Sequence, residues 1–403
     1  MLLAQGALSG VRVIELGTAI AAPMCGMLLG EMGAEVIKIE TPGRGDDARN
    51  WGDKVGGESL YFFHYNKNKK SCALNLKDER GREALKRLVE RSDVLIENFR
   101  PGVMDRLGLS YEKLREVNPR LIYCSVSGFG QWGPYSQLGG YDVIIQGMSG
   151  LMSITGEPEG EPLRVGLPIT DILAALYAAY SVALTLFWRE KTGEGQRIDI
   201  SLFEAAVGAM GQWISIYSGT GRVPKRFGNR YPLISPYEPI RTRDGYVIVA
   251  IGNEDLWRRF CKLIGREDLV SDPRFATNQD RIKPENRRAL LEILYSVMSG
   301  RDSRDWLKEL WREGIPAGPI NSVDKLLEDE HLRERRMFVN LNHPTIGNIT
   351  AVNVVPKLSA AGGSVRAPSP LLGQHTREVL KLAGYSDAEI DELVKAGVAQ
   401  EAG

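Results

Sequence analysis

Histidine and cysteine are scarce in this chain. Of 403 residues, four are His (His64, His331, His343, His375) and four are Cys (Cys25, Cys72, Cys124, Cys261). No histidine pair has HExxH spacing and no cysteine pair forms CxxC, so no metal is expected. Scattered single thiols without a disulfide framework fit a reducing, cytoplasmic setting. An excess of either charge is also missing, because Lys plus Arg and Asp plus Glu both number 51. Without a net positive field, no nucleic-acid partner is expected. The opening residues Met1 to Gly6 lack a basic stretch and a full apolar run, so no secretory signal is expected. No GxxxxGKS/T sequence occurs, which removes the P-loop NTPases.

What is present is an alternation of strand and helix patterns. Val11 to Leu16 reads as a strand, a helix starts at Ala22-Pro23, and Ala34 to Glu40 reads as the next strand. Gly26, Gly30 and Gly33 in that first helix suit close helix packing. A helix over 79–92, a strand over 93–99, a helical stretch over 103–117 and strands over 121–126 and 196–201 follow. This predicts an α/β fold with a Rossmann-like parallel sheet. Ligands of such sheets sit at the carboxyl ends of the strands, here Gly17–Ile20, Glu40–Gly43, Asn98–Gly102 and Ser127–Gly130. Residues near 215–235 read as loop, 246–250 as a strand, 254–312 as mostly helical, 350–357 as a strand and 387–396 as a helix. The expected organisation is a large domain beginning with 1–215, a smaller α+β domain over 216–335, and a return to the large domain over 336–403.

One GxGxxG follows a strand, Gly128-Phe-Gly-Gln-Trp-Gly133, but it leads into a loop rich in Gly and Pro rather than a helix. It also lies late in the sheet and has no acidic residue about 20 positions on, so it is discounted as a dinucleotide fingerprint.

The longest run free of charge, Gly and Pro extends from Ile172 to Trp188, with Asp171 directly before it. A bilayer needs roughly 17 apolar residues, so this run is just long enough to cross one. It carries Tyr177, Tyr180, Ser181, Thr185 and many small Ala, and no second run accompanies it. No membrane is therefore expected, and an all-round apolar helix points to a large core or a subunit interface. Asp171 itself admits two readings. An Asp before a helix accepts orphan N–H groups as an N-cap. A carboxylate at the mouth of an apolar helix is also badly solvated, which suits a nucleophile.

The chain resembles the family III CoA-transferases (CaiB/BaiF), the group that includes formyl-CoA transferase and carnitine CoA-transferase. The resemblance runs through Leu8-Ser-Gly-Val-Arg-Val-Ile-Glu-Leu16, Gly33 to Glu40, Ser59-Leu-Tyr-Phe62 with Asn66 to Ser71, and Asp93 to Gly102. It continues through Ser127 to Pro134, Lys191 to Gln196 and Pro370 to Thr376, and so covers nearly the whole chain. It implies that Asp171 is a catalytic nucleophile. The implied reaction moves coenzyme A from an acyl-CoA to a carboxylic acid through an aspartyl anhydride and an aspartyl-CoA thioester. Implied CoA contacts are Ala19, Leu74, Lys77, Asn98, Phe99, Arg106 and Tyr141. Without the family, Asn98 and Phe99 could be a strand-end turn, Lys77 and Arg106 surface charges, and Tyr141 core packing.

The chain also departs from the family pattern. Only backbone contacts can carry over at Thr18–Ala21, Thr41 replaces an arginine, and the tetraglycine active-site loop has no counterpart. Oxalate is therefore not the first acceptor expected. The small domain and tail look most like members using succinyl-CoA with a dicarboxylate acceptor, and Arg49, Arg164 and Arg230 are candidate cations for it. The alternative is a 2-methylacyl-CoA racemase of the same family, whose histidine would fall at Tyr141, a poor base near neutral pH. The family forms interlocked homodimers, which the resemblance implies here.

Overall fold

The computed structural model describes residues 6–403. The chain divides into two compact units, one of Leu151 and preceding residues with 164–218 and 330–403, the other of 152–163 and 219–329.

Seven strands form the sheet of the larger unit: β1 (Arg12–Leu16), β2 (Glu35–Glu40), β3 (Lys69–Leu74), β4 (Val94–Glu97), β5 (Ile122–Ser127), β6 (Arg197–Ser201) and β7 (Ala399–Gln400). Their spatial order is β7-β3-β2-β1-β4-β5-β6, parallel throughout except β7, which pairs antiparallel with β3. The first six therefore follow the 3-2-1-4-5-6 order of a dinucleotide-binding sheet, with its topological switch between β1 and β4.

The central strands β1 and β4 are buried on both faces because both faces are covered. Val13, Val36, Val94 and Ile96 point to one core, shared with helix α1 (Ala21–Glu31) and the long helix. Ile14, Ile37, Leu95 and Tyr123 point to the other, shared with the helices Glu79–Val89, Thr376–Leu382 and Asp387–Lys395. The period-two alternation along each strand produces this division.

Three expectations change. The stretch 103–117 is two short helices, Val103–Arg106 and Tyr111–Val117, parted at Gly108, whose φ of 69° an α-helix does not tolerate. Residues 211–220, expected partly as loop, form a helix. The strand expected over 350–357 is the second arm of a hairpin, Phe338–His343 with Gly347–Val352. Strand β3 opens with Lys69 and Lys70, a pattern that reads as surface in the sequence. Lys69 is fully buried, its ammonium held by Glu15 at 2.7 Å. The room for Glu15 comes from Gly26, where a Cβ would lie 2.2 Å from Glu15 Oε2. That glycine of α1 thus serves a buried carboxylate on the sheet rather than a helix contact.

The long helix runs over Ile169–Thr192 and ends at Gly193 in the left-handed region. One face, with Ala174, Ala175, Ala178, Val182 and Leu186, joins the sheet core. At its last turn Arg189 is buried and paired with Asp93 at 2.8 Å. The other face is not buried: Tyr180 is 61% exposed, Phe187 62% and Trp188 54%. The all-round apolarity therefore corresponds to burial on one side only. By length and composition alone this helix could cross a membrane.

The smaller unit has a three-stranded antiparallel sheet (Ala317–Pro319, Tyr246–Ala250, Tyr237–Arg241) packed with helices around Trp257, Phe260, Leu294 and Trp306. Its segment 152–163 comes from far away in sequence. Gly156 O accepts the Gly228 N–H at 2.8 Å, and Arg226 donates to Gly160 O at 2.7 Å, which tie it into this unit.

Candidate active site

The chain ends of β1 and β4 meet at the switch point and are tied together there. Asn98 Oδ1 accepts the Thr18 N–H at 2.9 Å, and Asn98 Nδ2 donates to Thr18 O at 2.8 Å. One residue on, Ala19 stands at φ 64°, a conformation that costs an L-residue about 1 kcal/mol. Its N–H donates to Asp46 Oδ1 at 3.0 Å. Asp46 in turn is held by Lys38, which is fully buried and reaches Asp46 at 2.9 Å, Glu15 at 2.8 Å and Gly17 O at 2.7 Å. Burial works against the Lys38 charge, yet Asp46, Glu15 and Glu40 around it raise its basicity overall. The same Lys38 charge holds the Asp46 carboxyl below its usual range against the cost of burial. The loop Gly17–Ala19 is thus fixed from beneath by a buried polar network.

Phe99 is set in a similar way. Its N–H donates to buried Glu97 at 2.8 Å. Burial lifts the Glu97 carboxyl to about 7.

The long helix brings Asp171 to this place. Asp171 is in the first helical turn and not at the N-cap, which is Pro168 and has no capping side chain. Its carboxylate accepts no hydrogen bond among the described residues, so the capping reading fails. Burial first, and the nearby Asp142 carboxylate second, push it up to about 7. Helix α2 (Leu60–Tyr65) supplies Tyr61 and Tyr65, whose phenols are pushed up by burial and by the Asp171 charge.

Asp171 lines a cavity of about 190 Å³ together with Thr18, Ala19, Asn98, Phe99, Gly139, Gly140 and Tyr141. A second cavity of about 250 Å³ lies over the ends of β1, β2 and β3, lined by Leu74, Lys77, Thr41, Asp46 and Val103. Thr18 and Phe99 border both. Five residues singled out in the sequence, Ala19, Asn98, Phe99, Tyr141 and Asp171, therefore surround one cavity. Leu74 and Lys77 surround its neighbour. Arg106 lines neither, and stands exposed at the end of the helix Val103–Arg106. Tyr141 is 73% exposed, so it is not core packing.

The first glycine of the GxGxxG segment has a local reason. A Cβ at Gly128 would lie 2.7 Å from the Gly140 Cα, so the strand end and the 139–141 loop touch backbone to backbone. The N–H groups of Gly139 and Gly140 have no partner among the described residues, whereas those of Thr18 and Ala19 are taken by Asn98 and Asp46.

Arg49 is unavailable to an acceptor acid. It grips Glu40 at 2.7 and 2.8 Å and lies over the Phe62 ring at 3.7 Å. Arg230 belongs to the smaller unit, 4.0 Å from Glu157. Arg164 is exposed, its Nη1 on the neighbouring Val165 O. The cation that borders the Asp171 cavity is Arg100. Tyr61, Tyr65, Arg100 and Asp142 were not singled out from the sequence. Asp142 stands next to Tyr141, Arg100 lies in the strand end Asn98–Gly102 and Tyr61 in the Ser59–Phe62 motif, while Tyr65 carried no signal.

Residues 8–376 match the family model described as CoA-transferase family III. The chain is 39% identical to a mouse succinyl-CoA:glutarate CoA-transferase, covering 98% of this chain and 90% of the relative. It is 40% identical to a succinate–glutarate CoA-transferase of Agrobacterium fabrum, covering 93% and 94%. A solved structure of a CaiB/BaiF family protein from Brucella suis superimposes with a TM-score of 0.85 at 38% identity, over 94% of this chain and all of that one.

Proposed function

The chain belongs to CoA-transferase family III and is an enzyme of that class, and from this premise we propose that Asp171 carries acyl and CoA groups between two carboxylic acids. The observation that carries the reading is an unpaired, poorly solvated carboxylate in a cavity at the switch point of the sheet.

Asp171 attacks the thioester carbonyl of the acyl-CoA, the C–S bond breaks, and a mixed anhydride and CoA thiolate result. The thiolate attacks the Asp171 carbonyl, the donor acid leaves as a carboxylate, and an aspartyl-CoA thioester remains. The acceptor carboxylate then attacks that thioester, giving a new anhydride and thiolate. Attack of the thiolate on the acceptor's carbonyl releases the new acyl-CoA and restores Asp171. No net proton is needed.

Each step suits the surroundings. Weak solvation raises the reactivity of Asp171, and a narrow cavity shields the anhydride from water. The unpartnered N–H groups of Gly139 and Gly140 border the cavity and supply an oxyanion site. Phe99 and Tyr141 flank the thioester end. Leu74 and Lys77 receive the nucleotide end in the second cavity, with Arg106 beyond it for phosphate. The relatives' names support succinyl-CoA as donor and a dicarboxylate as acceptor. The exposed apolar face of the long helix supports a homodimer. The racemase reading is not favoured, because the relatives are transferases and Tyr141 stands where a base is needed.

The test is incubation with succinyl-CoA, trapping with hydroxylamine and mass spectrometry. A hydroxamate at Asp171, absent in Asp171→Asn, is the expected result. Exchange that survives Asp171→Asn would refute the reading.

A further inference from the structure

The first turn of the Asp171 helix borrows its cap from another helix. Four N–H groups at a helix start need partners, and Pro168 offers none from its side chain. Asp142, the first residue of helix α3 (Asp142–Met148), fills the gap. Its Oδ1 accepts both the Thr170 N–H and the Thr170 hydroxyl at 2.9 Å. Its Oδ2 accepts from Gln146 Nε2 at 2.7 Å. Gln146 Oε1 in turn accepts the Val165 N–H at 2.8 Å. Thr170 and Gln146 are both fully buried. This chain of bonds ties 165, 170, 146 and 142 together, and Asp171 is the next residue after Thr170.

We propose that Asp142 is a positioning residue for Asp171, which clamps the turn that carries it and keeps a negative charge beside it. The proposal rests on the transferase reading above. Its physical content is a balance of fields. A helix N-terminus favours a carboxylate and dulls its basicity. The neighbouring Asp142 charge opposes this. Acylation of Asp171 removes one of the two charges and relieves the repulsion. Asp142 thereby favours the covalent intermediates over the resting carboxylate. The other groups facing Asp171 are Tyr61 and Tyr65 from α2 and, on the cavity wall, Arg100. None of them is tied to the Asp171 turn by a hydrogen bond as Asp142 is.

The experiment compares Asp142→Asn with Thr170→Val in the full-length protein. Asn keeps an acceptor for Thr170 but removes the charge, and Val keeps the charge but removes one bond. The readouts are the carboxyl titration of Asp171 by 13C NMR and the pH profile of the succinyl-CoA half-reaction. For D142N both midpoints should fall by about one pH unit, since a like charge at short range contributes that much or more. For T170V the midpoints should stay in place while the rate falls several-fold. An unmoved D142N midpoint, or an equal movement in T170V, overturns the proposal. Should D142N fail to fold, Asp142→Ser neutralises the same site and is read by the same criteria. An unmodified protein that transfers no acyl group would refute the transferase reading instead, and the NMR midpoints would still decide the role of Asp142.

Discussion

At the residue scale the proposed chemistry turns on one carboxylate, Asp171, whose proton is held to about pH 7 by burial and by Asp142. The nucleophile is the deprotonated form, so the rate of the first half-reaction should rise with pH and level off above about 7. A stopped-flow profile with no acid limb between pH 5 and 8 would contradict this. The same residue affects stability, with a definite sign. Its folded-state affinity for protons exceeds the unfolded one, so burying it costs nothing below the unfolded value of about 4 and progressively more as pH rises toward 7. Asp171→Asn should therefore raise stability by about 1–3 kcal/mol at pH 8 and leave it nearly unchanged at pH 4. Paired thermal melts at the two pH values check this. The same substitution should lower transfer at least about a thousandfold, as loss of a covalent nucleophile does. The Asp171 position was legible from its place before an apolar run and from the family motifs. Its raised proton affinity was not, because Asp142, Tyr61 and Tyr65 come from other parts of the chain.

At the scale of elements, the loop after β1 shows how a turn is held in an unfavourable conformation. Ala19 keeps a positive φ because Asp46, Lys38 and Glu15 form a closed buried network beneath it. Lys38→Met should destabilise the protein by about 3–5 kcal/mol, the usual cost of leaving buried charges unpaired, as measured by denaturant unfolding. Ala19→Gly should fold as well as the parent and keep activity within a few-fold, because glycine adopts this conformation freely. Ala19→Val should lose both stability and activity, since a β-branched residue is disfavoured there. If valine is tolerated, the loop is not held as described. The strands β1, β2, β4, β5 and β6 were legible as short Val- and Ile-rich runs. Strand β3 was not, because a strand opening with two lysines looks like surface until Glu15 is found beside Lys69.

At the scale of the whole molecule, the long helix buries one apolar face and exposes the other. A second copy of the chain is the proposed cover, and sedimentation should give twice the monomer mass. Charging the exposed face with Phe187→Asp and Tyr180→Asp should shift that mass toward the monomer, while variants at Trp311, in the smaller unit, should not. The sequence by itself determined the α/β class, the family and the place of Asp171 before an apolar run, because alternation, composition and short motifs are local properties. Tertiary structure alone decided which residues of distant segments surround Asp171, and with what charge. Those contacts join residues from 18 to 171 across the sheet, and their energies depend on burial and distance, which no run of neighbouring residues records. Asp171 is thus named by its sequence as a candidate cap or nucleophile, and the fold removes the first reading by giving the cap to Asp142, which leaves the second as the proposal.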